Sequence, residues 1–131
     1  MARNPDRPLS PHITIWRWGP AMLVSILHRI TGGALFVAGL ALLVWWLMSI
    51  AGGPAPYAKF AESAQHPAGL VILVGITWAF FQHLLSGIRH LVLDTGAGYD
   101  LNTNRFFAVM TIAVSIFLTA LTWAALLGVY A

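Results

Sequence analysis

Three stretches of this chain carry no Asp, Glu, Lys or Arg: Ile30 to Ala58, Ser63 to Ile88 and Phe106 to Ala131. Each exceeds the roughly 20 mostly apolar residues that an α-helix needs to cross a bilayer. Inside hydrocarbon every backbone N–H and C=O must be paired within the protein, so apolar runs of this length predict helices rather than strands. Composition agrees: the 131 residues are 59% hydrophobic and 8% charged, against about 25% charged for a water-soluble domain. So few charged side chains cannot cover a globule. The expected fold is an all-α membrane protein with three transmembrane helices in an up-down bundle. One transmembrane domain covers 1–131, with a polar arm over 1–20 and helices over about 21–49, 68–93 and 104–130.

The arm is punctuated by Pro5, Pro8, Pro11 and Pro20, which interrupt a continuous helix. Trp16 and Trp18 precede the first span, where indoles favour the headgroup region. Gly52-Gly53-Pro54 closes helix one, and the stretch from there to Pro67, carrying Lys59 and Glu62, reads as a loop. Thr95-Gly96-Ala97-Gly98 closes helix two. Arg3, Arg7 and Arg17 lie in the arm, and Arg89 and Arg105 flank the second loop, whereas the first loop has only Lys59. The positive-inside bias therefore puts the N-terminus and the second loop in the cytoplasm. The polar start and the long first apolar run argue against a cleaved signal peptide, and favour a bacterial inner membrane over a mitochondrial one.

Several function classes fall away. The net charge of +3 comes from scattered basic residues, with no basic stripe to track phosphates, so no nucleic acid is expected as a partner. There is no cysteine, hence no disulfide and no thiolate-held cluster in this chain. No Ser–His–acid triad, metalloprotease helix or phosphate-binding glycine loop can be assembled. Asp94 is expected to close helix two against Arg89 or a loop amide. By itself the chain is not expected to catalyse a reaction.

Two polar clusters interrupt the apolar pattern. In helix one, Ser25, His28, Arg29 and Gly32 recur at i, i+3, i+4 and i+7 and so share a face. Arg29 lies about 12 Å inside the span, where a guanidinium costs about 2.5–3.5 kcal/mol before snorkelling. It either snorkels to the headgroups or, with Ser25 and His28, meets a ligand or partner. In helix two, His83, Gly87, His90 and Asp94 follow 4, 3, 4 spacing and form one stripe. His83 lies roughly 15 Å from the end of its helix, near mid-bilayer, where an imidazole needs a hydrogen-bond partner or a metal. A Ser or Thr on a neighbouring helix would satisfy it; so would haem iron, with Gly87 clearing space for a flat macrocycle. Arg89 and His90 fall at about the depth of His28 and Arg29, a cationic layer suited to haem propionates.

Arg7-Pro8-Leu9-Ser10-Pro11-His12, then Ser25-Ile26-Leu27-His28-Arg29-Ile30-Thr31-Gly32, then His83-x-x-x-Gly87-Ile88-Arg89-His90-Leu91-x-x-Asp94, resemble in kind and order the signatures of succinate dehydrogenase cytochrome b subunits. Helix three carries no motif. The resemblance implies one of two small membrane anchors in a four-subunit complex, beside a second membrane anchor subunit, an iron–sulfur subunit and a flavoprotein subunit that oxidises succinate. It also implies that His83 is an axial ligand of haem b, with the other ligand from the second anchor. His28 would stand on the haem propionate side, and His90 in the haem vicinity. Ser25, Arg29 and Trp18 would line a pocket for ubiquinone or another quinone, Ser25 hydrogen-bonding a quinone oxygen and Arg29 stabilising the charge of reduction. Family members commonly have Tyr where this chain has Trp16. Three other functions fit the same spans: a structural anchor without haem, a self-contained cytochrome b with His28 and His90 across one iron, and quinol-dependent fumarate reduction.

Overall fold

A computed structural model describes residues 17–129. The arm before residue 17, including Trp16, and the last two residues lie outside the described residues. Five α-helices run in order: α1 (Pro20–Ala34), α2 (Leu40–Ala51), α3 (Pro54–Gln65), α4 (Pro67–Asp94) and α5 (Leu101–Val129). A π-helical turn, Leu35–Gly39, joins α1 to α2 without a break, so Pro20–Ala51 is one span of 32 residues. With Pro67–Asp94 and Leu101–Gly128, three helices are long and apolar enough to cross a membrane. The all-α, three-span expectation agrees.

The expected boundaries shift by one to three residues, each for a local reason. Pro20 is not a barrier but the first residue of α1, where its missing N–H and fixed φ suit a helix start. His66 caps α4 through Nδ1, which accepts from the Ala68 N–H at 3.3 Å. α5 begins three residues early because Asp100 Oδ2 accepts from the Asn102 and Thr103 N–H groups, each at 3.2 Å. Those bonds hold its carboxyl below the usual carboxylate range. The expected contact between Asp94 and Arg89 does not form: Arg89 donates instead to the Asn104 side chain on α5.

The stretch expected as a loop is α3. Pro54 opens it as a first-turn proline, after Gly53 turns the chain at φ 91°, a left-handed value suited to glycine. Tyr57, Phe60, Ala61 and Ala64 then follow i, i+3, i+4, i+7 spacing, an apolar stripe opposite Lys59 and Glu62. Phe60 packs edge-on against Trp45 of α2, ring centroids 4.9 Å apart. The corner into α4 is tight enough that a Cβ at Gly69 would lie 2.1 Å from the Ser63 carbonyl oxygen.

α1, α4 and α5 pack on one another in all three pairings, while α2 leaves this bundle and packs against α3. The interior reverses that of a soluble protein. The buried residues are Val24, Ala79 and Ala108 together with Thr31, Ser49, Gln82, Ser86, Thr111, Ser115 and Thr119. Large side chains such as Phe36, Trp45, Val71, Phe80 and Phe117 face outward. In lipid, hydrophobicity does not drive helix association, so small residues that permit close approach and hydroxyls that bond across or along helices occupy the seams.

Candidate functional site

The seam between α1 and α4 holds three imidazoles. His83 Nδ1 lies 3.1 Å from the His28 carbonyl oxygen. A carbonyl only accepts, so Nδ1 is the donor in this contact, and a ring carrying that one proton has its lone pair on Nε2. Thr31 Oγ1 stands 3.4 Å from the same nitrogen, but already donates to the Leu27 carbonyl at 2.7 Å. Gly32 supplies the seat of the ring: a Cβ there would meet His83 Cε1 at 2.8 Å and Nδ1 at 3.3 Å. Any larger residue at position 32 must move the imidazole.

The His28 and His83 rings stack face to face, centroids 4.1 Å apart and planes within 1°. His90 completes the group with its ring 5.2 Å from that of His28 and tilted by 57°. His28 Nδ1 is buried with no hydrogen-bond partner. Two ligands of one haem iron approach it from opposite faces of the macrocycle. Rings in mutual contact leave no space for a macrocycle between them, so this geometry disfavours the self-contained cytochrome with His28 and His90 across one iron. Among the described residues no three His, Cys, Asp or Glu side chains converge on a metal position either.

The two clusters are joined differently from the spacing alone. His28 and Gly32 turn into the seam with His83 and His90, whereas Ser25 is half-buried at its edge and Arg29 is exposed. Trp18, 66% exposed, stands just before α1. Arg89 leaves the expected cationic layer for Asn104 and a cavity of about 290 Å³ between α4 and α5, lined also by Phe107 and Thr111. Gly87, the residue expected to clear space for a macrocycle, has His28 Cε1 as its nearest neighbour, at a Cβ distance of 3.7 Å. The glycine that makes room for His83 is Gly32, on the other helix. It belongs to the helix-one motif, but only its pairing across the seam discloses the role.

Residues 3–122 match the family model described as succinate dehydrogenase/fumarate reductase transmembrane subunit. The succinate dehydrogenase cytochrome b556 subunit of Paracoccus denitrificans is 40% identical over 117 residues, covering 89% of each chain. That of Rickettsia felis is 38% identical over 117 residues, 89% of this chain and 90% of the relative. The mitochondrial succinate dehydrogenase cytochrome b560 subunit of Sus scrofa is 34% identical over 122 residues, 88% of this chain and 72% of the relative. With a family match over most of its length and relatives aligned nearly end to end, the chain belongs to the succinate dehydrogenase/fumarate reductase transmembrane subunit family.

Proposed function

We propose that this chain is the cytochrome b anchor of a succinate dehydrogenase, contributing His83 as one axial ligand of a haem b and Ser25, Arg29 and Trp18 to a quinone-reduction pocket. The observation that carries this is the contact of His83 Nδ1 with the His28 carbonyl: it supports the tautomer with Nδ1–H, whose Nε2 keeps the lone pair that iron requires. Two further features fit the group. His28 Nδ1, buried and unpartnered, can donate to a propionate carboxylate. His90 stands beside the His28 ring, its plane tilted by 57°. The second ligand would come from the other membrane anchor, since among the described residues no second histidine opposes His83 across a macrocycle. Haem in this position supplies a one-electron reservoir inside the membrane.

The chain's own residues have distinct tasks. His83 is held in orientation by its backbone partner. Ser25, at the edge of the seam, donates a hydrogen bond to a quinone carbonyl oxygen. Arg29 holds the negative charge that accumulates on that oxygen as two electrons arrive and before two protons complete the quinol. Its exposure in the isolated chain suits a pocket completed by neighbouring subunits. The iron–sulfur and flavoprotein subunits would then lie on the N-terminal side, facing the cytoplasm of a bacterium, with this chain in the inner membrane.

The test is a divided assay on the purified complex. Arg29→Ala is expected to lower succinate–quinone activity about 10²-fold, the scale of losing one charge-stabilising donor, while succinate oxidation with a soluble artificial acceptor is unchanged. Equal loss of both activities would show that Arg29 serves assembly and not quinone chemistry.

A further inference from the structure

Gln82 and six hydroxyl residues make up the buried polar side chains among the described residues. Five of the six hydroxyls bend back onto their own helix. Thr31, Ser49, Thr111 and Thr119 each donate to a carbonyl three or four residues earlier, at 2.7 or 2.8 Å, and Ser115 Oγ lies 2.8 Å from the Ile112 carbonyl while its single proton serves Gln82. Donation to such a carbonyl is the usual way for a helical hydroxyl in an apolar setting to satisfy itself. Ser86 does not do so. It has no exposed surface, and its Oγ has no partner.

One turn earlier on α4, Gln82 is also fully buried. Its Oε1 accepts from Ser115 Oγ at 2.8 Å, and its Nε2 has no partner. Reversing the amide would only exchange which of its two atoms is left over. Two unpaired polar groups thus lie one turn apart on α4, about 5–6 Å between their Cβ atoms. In an apolar interior, leaving both unpaired is costly. Neither reaches the surface of the isolated chain, so a partner subunit cannot satisfy them.

The opposing wall offers a third hydrogen-bonding atom. α4 and α5 are antiparallel, and the Gln82–Ser115 and Arg89–Asn104 contacts bracket Ser86, setting it level with Ala108 and Thr111. Ala108 is wholly buried and ends at Cβ. Thr111 Oγ1 donates to the Phe107 carbonyl and keeps a lone pair free to accept. Thr111 also lines the cavity that holds Arg89 and Asn104. We infer that the α4–α5 seam holds one buried water molecule, bound by Ser86 Oγ and the Gln82 amide and donating to Thr111 Oγ1. Three partners of mixed donor and acceptor character are what an internal water requires.

The intact complex provides the test. A structure resolving ordered solvent is expected to show one water within hydrogen-bond distance of Ser86 Oγ and the Gln82 amide. Ser86 Oγ turned back to the Gln82 carbonyl, with nothing between the two side chains, would overturn the inference. A second reading needs no variant: the infrared spectrum of the wild-type complex should contain a sharp water O–H stretch that shifts in ¹⁸O-labelled water. Ser86→Ala should remove or displace that band. A wild-type spectrum with no such band, or a band unchanged in an assembled Ser86→Ala complex, would equally contradict the site.

Discussion

Gly32 is the residue on which the placement of His83 most depends. A methyl group there would sit 2.8 Å from His83 Cε1, inside contact distance, and the stacked His28 ring at 4.1 Å limits the retreat of the imidazole. Gly32→Ala should therefore tilt the ring and weaken its bond to the His28 carbonyl. Loss of such an orienting bond typically lowers metal affinity about 10–100-fold, so the variant is expected to assemble with much reduced haem content and a shifted low-spin signal. A second residue-scale effect is set by pH. Asp100 is held below the ordinary carboxylate value of 3.8, chiefly by its hydrogen bonds from Thr103, with others from Asn102 and Leu101. Its folded value is the lower of the two, so its contribution is complete above the ordinary value and is lost as pH falls through the folded one. Protection of the Asn102 and Thr103 amides, taken relative to the intrinsic exchange rate at each pH, should be present at neutral pH, fall only in acid, and be absent at both pH values in Asp100→Ala.

At the scale of elements, the α3–α4 corner is the most constrained joint in the chain. Gly69 admits no side chain, because the obstacle is backbone oxygen at 2.1 Å, which cannot rotate away. Gly69→Ala should push α3 off Trp45 and destabilise the subunit by about 1–3 kcal/mol, the range for forced overpacking, seen as a lower Tm of the purified complex. The three spans were legible because runs without charge admit one solution in lipid. α3 was not: Gly52-Gly53-Pro54 reads as loop punctuation, and the stretch carries Lys59 and Glu62. Yet Pro54 starts a helix, and the Tyr57–Phe60–Ala61–Ala64 stripe shows the period. The site was legible in part for a related reason. Spacing along one helix groups His83 with Gly87 and His90, but the pairing of His83 with Gly32 and the turn of Arg89 toward Asn104 depend on which neighbours pack where. Periodicity within a single helix does not encode that.

Taken whole, the molecule is a membrane bundle whose seams are polar and whose outer surface is large and apolar. Among the described residues α2 stands apart from α4 and α5 and packs against α3, and its large apolar side chains such as Leu47 and Met48 are exposed for lipid or for another subunit. The three histidines gather at the α1–α4 seam, where the described residues offer one well-oriented imidazole but no second one opposite it. The proposed function is accordingly a shared one, with one haem ligand from this chain and one from its neighbour. The most direct measurement is the reduced-minus-oxidised spectrum of the assembled complex carrying His83→Ala, beside His28→Ala. The b-type, low-spin signal should be lost or converted in the first and kept, with at most a shift, in the second. A low-spin signal that survives His83→Ala but vanishes in His28→Ala would contradict the assignment of His83 as the ligand.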